Sequence, residues 1–362
     1  MASYLTLGEQ QARQALVEKP VYFADDADLD PSFFPNGAAP RAASPQRTFH
    51  SQYLIWIEEL KNRAYDPIAP STLANFISCA KTILSVVGPS TPLEGFKNQK
   101  MQKFVQDVKR FNWAPATLAQ HILIIKLIIA SATDEEGEQL FPRVWNRRLI
   151  NAPRVERSKQ KTPKLTKGDV EKLIRNAASD QERLFYAFLC GSGLRASEAQ
   201  AVRVGGSDSQ TSWDQAKATI SVRTGCFRNV ETGRTKTIAG QRTVFLHSEL
   251  NQALIVFAAR EKREAGSFLF QSKPGEPIRL STVRDRMAKC IPGAAPHAAR
   301  RFYISWLRKC RVMEEIIRSQ VGHAAESITD IYSFQDENTV RAAIEAAGLG
   351  FNIDGKEAPA KD

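Results

Sequence analysis

The stretch Gly191-Ser192-Gly193-Leu194-Arg195-Ala196-Ser197-Glu198 decides how the second half of this chain is read. Before it, Gln181 to Cys190 shows the apolar spacing of a helix, and after it Arg195 to Val202 resumes that spacing. The two glycines interrupt the pattern and let the backbone turn tightly. Arg195 thus emerges at a helix start, with Glu198 three residues on and on the same face. A guanidinium is permanently charged and its fork matches phosphate with paired hydrogen bonds. Such an arginine is a candidate anion clamp, although the pair alone reads more readily as an ordinary surface pair.

Working outward, Thr166-Lys167-Gly168-Asp169 has the form of a capping box opening a helix from Asp169 to about Ala178. Downstream, Ala218 to Arg223 and Arg242 to Leu246 alternate and are β-branched, which predicts two strands. The polar span between them, with Gly233-Arg234-Thr235-Lys236-Thr237 and Gly240, predicts a hairpin arm. A lysine on such an arm is usually only solvated, but it can also protonate a leaving alkoxide. Ser248 is expected to cap a helix to about Lys262, and from Ser281 the chain again reads helical. That region carries His297-Ala298-Ala299-Arg300, which sets an imidazole one helical turn from a second guanidinium. Gly322-His323 follows, then Tyr332 in Asp330-Ile331-Tyr332-Ser333. A phenol has a free pKa of about 10, so nucleophilic attack needs nearby cations or a base. Read singly, a tyrosine in a helical stretch is more often a core residue.

The first half differs. Residues 1–45 mix an acidic patch with a Pro/Ala/Gly-rich stretch and show no period, which predicts a loosely ordered lead-in. From Thr48 to about Thr133 the pattern is helical, and two helices open alike, at Pro70-Ser71-Thr72 and Pro115-Ala116-Thr117. A small bundle of four or five helices is expected. Between Arg143 and Lys164 stand eight basic residues against one acid, Glu156. This predicts a basic linker laid against phosphates, with Arg147, Arg148, Arg154, Arg157, Lys159 and Lys161 as backbone-binding candidates.

The net charge of +11 over 362 residues favours a polyanionic partner. The five scattered cysteines show neither a CxxC pair nor Cys/His ligand spacing, so no disulfide framework or zinc site is indicated. The start has no secretory pattern, and the most apolar run, Ile122 to Ala132, is too short for a membrane span and carries Lys126. A soluble, cytoplasmic protein without membrane contact is expected. No dinucleotide fingerprint, P-loop or serine-nucleophile elbow is present.

Taken in order, Arg195, Lys236, His297 with Arg300, Gly322-His323 and Tyr332 closely resemble the catalytic signature of the tyrosine recombinase (phage integrase) family. The resemblance covers about Lys164 to Ala347 and extends more faintly to the helical region from about Thr48. It implies a mainly α fold with a small antiparallel β-sheet, made of an N-terminal helical core-binding (SAM-like) domain and a C-terminal α+β catalytic domain. The expected divisions are a lead-in over 1–45, a core-binding domain over 46–135, a basic linker over 136–164, a catalytic domain over 165–347 and a tail over 348–362. For the residues, the resemblance implies Tyr332 as nucleophile on a scissile phosphate, giving a 3′-phosphotyrosyl bond. Arg195, Arg300 and His323 would hold the phosphate, Lys236 would protonate the 5′ leaving oxygen, His297 would assist proton transfer, and Glu198 would support them. Neither ATP nor a metal or other cofactor is implied. The implied partners are double-stranded DNA target sites, three further copies of the chain in a tetramer on paired sites, and an accessory bending or directionality factor. Ala298 and Ala299 stand where many relatives carry a larger apolar residue, a difference of packing. The apolar face of Thr339 to Leu349 (Val340, Ala343, Ile344, Ala347) could dock on its own domain or on a neighbouring subunit, with the neighbour favoured. A strand-relaxing topoisomerase of type IB and a DNA-binding regulator with a decayed site are the rival readings; retention of all six polar groups argues against the second.

Overall fold

The computed structural model describes residues 47–65, 67–156, 164–233, 240–323 and 336–354. The expected lead-in, Arg157, Lys159, Lys161, Lys236, Tyr332 and the last residues, 355–362, lie outside the described residues. The chain divides into two compact units, with the boundary between Gln160 and Lys161.

The N-terminal unit is helical: α1 (Phe49–Lys61), α2 (Pro70–Val87), α3 (Asn98–Asp107), α4 (Pro115–Ala130) and a single turn, α5 (Arg147–Ile150). Thr48 and Ser51 exchange the hydrogen bonds of a capping box at the start of α1. Both α2 and α4 begin with proline as the first helical residue, where its missing N–H costs nothing. Their caps, Ala69 and Ala114, offer no side-chain bond, and the hydroxyl residues that follow each proline lie inside the first turn. Leu118, Ile122, Ile124, Ile125, Ile128 and Ile129 of α4 are all buried. A helix enclosed on most sides has little need for a polar face, which explains the most apolar run in the sequence.

Part of the expected basic linker belongs to this core. Trp145 and Ile150 are buried among the helices, with Phe141 and Ala152 packed against them. The Arg143 guanidinium donates to the carbonyls of Phe96 at 3.0 Å, Leu93 at 2.7 Å and Glu94 at 2.8 Å. Buried Lys126 lies 5.5 Å from the centre of the Trp145 ring. Burial, then the charge of Arg147, lowers its amine to about 8. Two cations of this unit thus serve the protein interior. Arg147, Arg148 and Arg154 are exposed.

The C-terminal unit contains α6 (Lys167–Arg175), α7 (Asp180–Ser192), α8 (Ala196–Ala201), α9 (Ser248–Arg260), α10 (Leu280–Cys290), α11 (Pro296–Lys309), α12 (Glu314–Val321) and α13 (Glu337–Ala347). The expected capping box of Thr166 and Asp169 opens α6. Every residue from Leu184 to Ser192 is buried, which makes α7 the central helix, packed on α6, α9 and α11. Phe185, Phe188 and Phe257 surround Phe270 at ring separations of 5.0, 5.4 and 5.6 Å.

The expected strands pair as β3 (Thr219–Val222) and β6 (Arg242–Phe245), antiparallel, with Val222 opposite Arg242. Two more strands, β1 (Arg203–Val204) and β2 (Ser212–Asp214), complete a sheet of order β1-β2-β3-β6, in which the β1–β2 pair is parallel. Between β3 and β6, β4 (Gly225–Phe227) and β5 (Val230–Thr232) form a hairpin. A last pair, β7 (Gln271–Lys273) and β8 (Glu276–Pro277), precedes α10.

Three local expectations are corrected. The α7 helix continues through Gly191 and breaks only at Gly193. A Cβ on Gly191 would lie 2.9 Å from Leu250 and 3.1 Å from Leu349, so this glycine serves close packing rather than a turn. Ser248 is the first helical residue of α9 and not its cap, which is His247. Its hydroxyl instead donates to Glu345 of α13. Finally, α13, expected to favour a neighbouring subunit, buries Val340, Ile344 and Ala347 among Phe245, Tyr303 and Leu307 of its own unit. Leu349, Phe351 and Ile353 then join the main core, so this part of the expected tail is structural.

An Arg143→Met variant should lower the stability of the N-terminal unit by about 2 kcal/mol, because it leaves buried carbonyls without their donor. Chemical denaturation checks this, and an unchanged midpoint would return Arg143 to the surface cations.

Candidate active site

The site is built from the break after α7. Gly193 sits at φ +66, and a Cβ there would stand 2.3 Å from the Tyr303 ring, so no side chain fits. Two residues later Arg195 caps α8 in an extended conformation. Its backbone N–H donates to Glu198 Oε2 at 2.9 Å and its Nη1 donates to Oε1 at 2.8 Å. The pair expected from sequence therefore forms, but as an interior one: the Glu198 side chain is only 3% exposed, against 23% for Arg195.

Two further guanidinium groups converge here. Arg242, the first residue of β6, donates from Nη2 to Glu198 Oε2 at 2.9 Å. Arg300 on α11 is buried and donates from Nη1 to the carbonyl of Gly193 at 3.0 Å. All three arginines also reach the same helix end. The carbonyl of Gln320 accepts from Arg242 Nε at 2.7 Å, that of Val321 from Arg300 Nη2, and that of Gly322 from Arg195 Nη2 at 3.3 Å. The last carbonyls of a helix lack partners within it and carry the negative end of its dipole. The end of α12 therefore aligns three cations drawn from three separate elements.

Gly322 then turns through φ 65 and His323 follows, its N–H donating to the carbonyl of Arg318 at 3.2 Å. The imidazole pKa is held below its ordinary value by burial, then by the charges of Arg300 and Arg195, with Arg308 and Arg318 adding to them. His323 thus shares one electrostatic field with Arg300 and Arg195. His297 stands exposed in the first turn of α11, one turn before Arg300. Lys236 and Tyr332 lie outside the described residues.

Positive charge is in excess. Among the described residues, three guanidinium groups surround one carboxylate. For Glu198, burial would raise the pKa, but hydrogen bonds and charge from Arg242 and Arg195 outweigh it and hold the carboxyl below its ordinary range. For Arg300, burial is the larger effect, and repulsion from Arg195 and Arg242 adds to it, lowering the group to about 9. An anion brought between Arg195 and Arg300 would relieve that repulsion, and a guanidinium has donors beyond those that its carbonyl partners use. A site of this kind is prepared for a phosphate.

Sequence reading missed Arg242, taking it only as the start of a strand. Its place opposite fully buried Val222, where an arginine needs an interior acceptor, exists only once the strands have paired.

A Glu198→Gln variant should lose about 3–5 kcal/mol of stability near neutral pH, since it leaves buried cations without their counter-charge. The folded-state pKa of Glu198 is lowered, so its stabilisation is present above the ordinary carboxylate range and is lost as the pH falls through the folded value. The gap between wild type and variant should therefore close in acid, which denaturation across pH 3 to 7 reads; a gap that is constant with pH would contradict the charged pair.

The sequence profile of the phage integrase family matches residues 163–339, a span that includes every residue of this site. A sequence search of curated proteins gives no match. Among solved structures, the Tn1549 transposon integrase in complex with a circular intermediate DNA superposes with a TM-score of 0.61 at 17% identity, covering 82% of this chain and 98% of that one. A lambda integrase dimer bound to a COC′ core site gives 0.55 at 16% identity, covering 80% of each chain. A lambda integrase tetramer bound to a Holliday junction gives 0.53 at 16% identity, covering 88% of this chain and 81% of that one. At such identities the superpositions speak for a shared fold, and it is the profile match that decides: residues 163–339 of this chain form a domain of the phage integrase family, the tyrosine recombinases.

Proposed function

We propose that this protein recombines double-stranded DNA at defined sites, integrating or excising a mobile element, with Tyr332 as the nucleophile. The observation that carries the reading is the excess of guanidinium over carboxylate at the end of α12, where Arg195 and Arg300 stand with His323 in their field. In the proposed reaction the Tyr332 oxygen attacks a phosphodiester phosphorus. A phosphorus–tyrosine bond forms, and the bond from phosphorus to the 5′ oxygen of the next nucleotide breaks. Arg195, Arg300 and His323 hold the non-bridging oxygens as charge gathers on them. Lys236 gives a proton to the departing 5′ oxygen, and His297 assists removal of the proton from the phenol. Glu198 keeps Arg195 in place. Attack by a 5′-hydroxyl from a partner strand then regenerates the tyrosine and completes the exchange, so no outside energy source is consumed.

The exposed Arg147, Arg148 and Arg154, together with Arg157, Lys159 and Lys161 next in the chain, are proposed to bind the DNA backbone. Such contacts make affinity fall steeply with salt. Recombination joins two duplexes with two cleavages each, so four copies acting together are proposed, with an accessory bending or directionality protein. The lambda integrase tetramer on a Holliday junction supports that arrangement by likeness of fold. Among the described residues no helix is long and apolar enough to cross a membrane.

The direct experiment is a nicked duplex bearing the element's junction, incubated with wild type and with Tyr332→Phe. The expected result is a protein–DNA adduct that survives denaturation with wild type and is absent from the variant. An adduct of equal yield from Tyr332→Phe would overturn the assignment of the nucleophile.

A second expectation concerns pH. In the free protein, burial and then Arg300 and Arg195 hold His323 below its ordinary 6.5. A bound phosphodiester offsets those arginines, so the histidine pKa rises on binding and a proton is taken up. DNA affinity should therefore increase as the pH falls through the region around 6.5, and His323→Asn should flatten that part of the profile. An identical slope in the variant would remove His323 from the phosphate site.

A further inference from the structure

We infer that Arg242 is a positioning residue of the recombination reaction, aligning the two phosphate-clamp arginines and His323 through Glu198 and the end of α12. The inference rests on the recombinase reading above. Arg242 does not lie open to a substrate: its side chain is 7% exposed, compared with 23% for Arg195. Each of its three nitrogens is engaged. Nε donates to the carbonyl of Gln320 at 2.7 Å, Nη1 to that of Gly240 at 2.8 Å, and Nη2 to Glu198 Oε2 at 2.9 Å.

These three acceptors belong to three parts of the site. Glu198 is the carboxylate that holds both the backbone and the guanidinium of Arg195. Gln320 lies at the end of α12, whose next two carbonyls accept from Arg300 and Arg195 and whose following residue is His323. Gly240 lies two residues before Arg242, at the start of β6. The Gln320 side chain adds a second tie, since its Oε1 accepts from the N–H of Phe245 at 3.0 Å. Strand β6 is thus fixed to α12 at both ends, and Arg242 is the tie that also reaches the carboxylate.

The consequence is geometric. Without Arg242, Glu198 would be tied only to Arg195, through that residue's backbone N–H and its guanidinium, within one short helix. Arg242 shares Oε2 of that carboxylate with the Arg195 backbone N–H and links it to a strand and to the helix end that sets Arg300. Removing it unties the carboxylate and Arg195 from β6 and α12 and leaves the Gln320 carbonyl without its donor, while Arg195, Arg300 and His323 all remain. Their charges can still bind a phosphate; what is lost is their mutual alignment at the transition state. A displacement on the order of 1 Å in such a constellation can slow chemistry about 100-fold. A planar guanidinium with five donors satisfies three divergent acceptors, whereas an ammonium at the end of a flexible stem acts as a single charge. Arg242→Lys is therefore a partial replacement only.

The test is single-turnover adduct formation on the nicked duplex, measured beside equilibrium DNA binding, for wild type, Arg242→Met, Arg242→Lys, Glu198→Gln and the double variant Arg242→Met/Glu198→Gln. Arg242→Met should form adduct about 100-fold more slowly while its DNA affinity stays within roughly threefold of wild type, since charge at the phosphate itself is retained. Arg242→Lys should fall between wild type and Arg242→Met. The double variant should be slowed no more than about threefold beyond the slower single variant, because residues acting through one another are not additive. Thermal denaturation of each variant sets the assay temperature below its transition. Should Arg242→Met be unfolded there, Arg242→Lys decides, and a wild-type rate in it overturns the inference. So do losses that multiply in the double variant, or a fall in affinity that matches the fall in rate, which would make Arg242 a direct phosphate ligand. Wild type and Tyr332→Phe run on the same substrate: an adduct absent from the first, or present in the second, counts against the recombinase reading and not against Arg242 alone.

Discussion

Among the described residues, a single buried carboxylate faces three guanidinium groups that it cannot neutralise, and much of the C-terminal unit is arranged around that imbalance. Glu198 balances one charge. The remainder is held by backbone carbonyls: Gln320, Val321 and Gly322 at the end of α12, Gly193 after α7 and Gly240 ahead of β6. Carbonyl dipoles orient a cation without cancelling its charge. The site therefore keeps a net positive field in a partly dry setting, where an arriving anion gains more than it would in water. Had acids matched the arginines one for one, the cluster would be a structural salt bridge with nothing left to attract a phosphate.

The surrounding fold follows from keeping those carbonyls in register. Gly193 must approach Tyr303 with no Cβ between them, which brings the break after α7 against α11 and sets its carbonyl on Arg300. The α12 end is held by β6 through Arg242 and Gln320, and α13 closes over the same strand and helices with Val340 and Ile344. The residues that bind charge and those that form the core are therefore neighbours along the same elements. On α11, Arg300 faces the site while Phe302 and Leu307 are buried in the core.

The N-terminal unit treats its positive charge in two ways. Arg143 is absorbed by three carbonyls and Lys126 lies by the ring of Trp145, whereas Arg147, Arg148 and Arg154 stay exposed. A count of basic residues cannot separate these classes, because burial depends on what packs against each side chain. This is why the stretch from residue 136 read as a linker, although Phe141, Trp145 and Ile150 bind its first part to the helical core.

By itself the sequence determined the helical bundle, the paired strands around 218–223 and 242–246, and the order of polar groups from Arg195 to Tyr332. These depend on periodicity, capping chemistry and residue type, all of which are local and written in the chain. Only the tertiary structure decided that Gly191 serves packing and Gly193 the turn, that Ser248 bonds Glu345 instead of capping α9, that residues 349–353 close the core, and that Arg242 joins the site. Each of these turns on a contact between residues far apart in sequence: Arg242 meets a carboxylate 44 positions before it and a carbonyl 78 positions after it. No local pattern encodes such a pairing, since it exists only once separate helices and strands have packed and a buried donor must find whichever acceptor the fold has brought within reach.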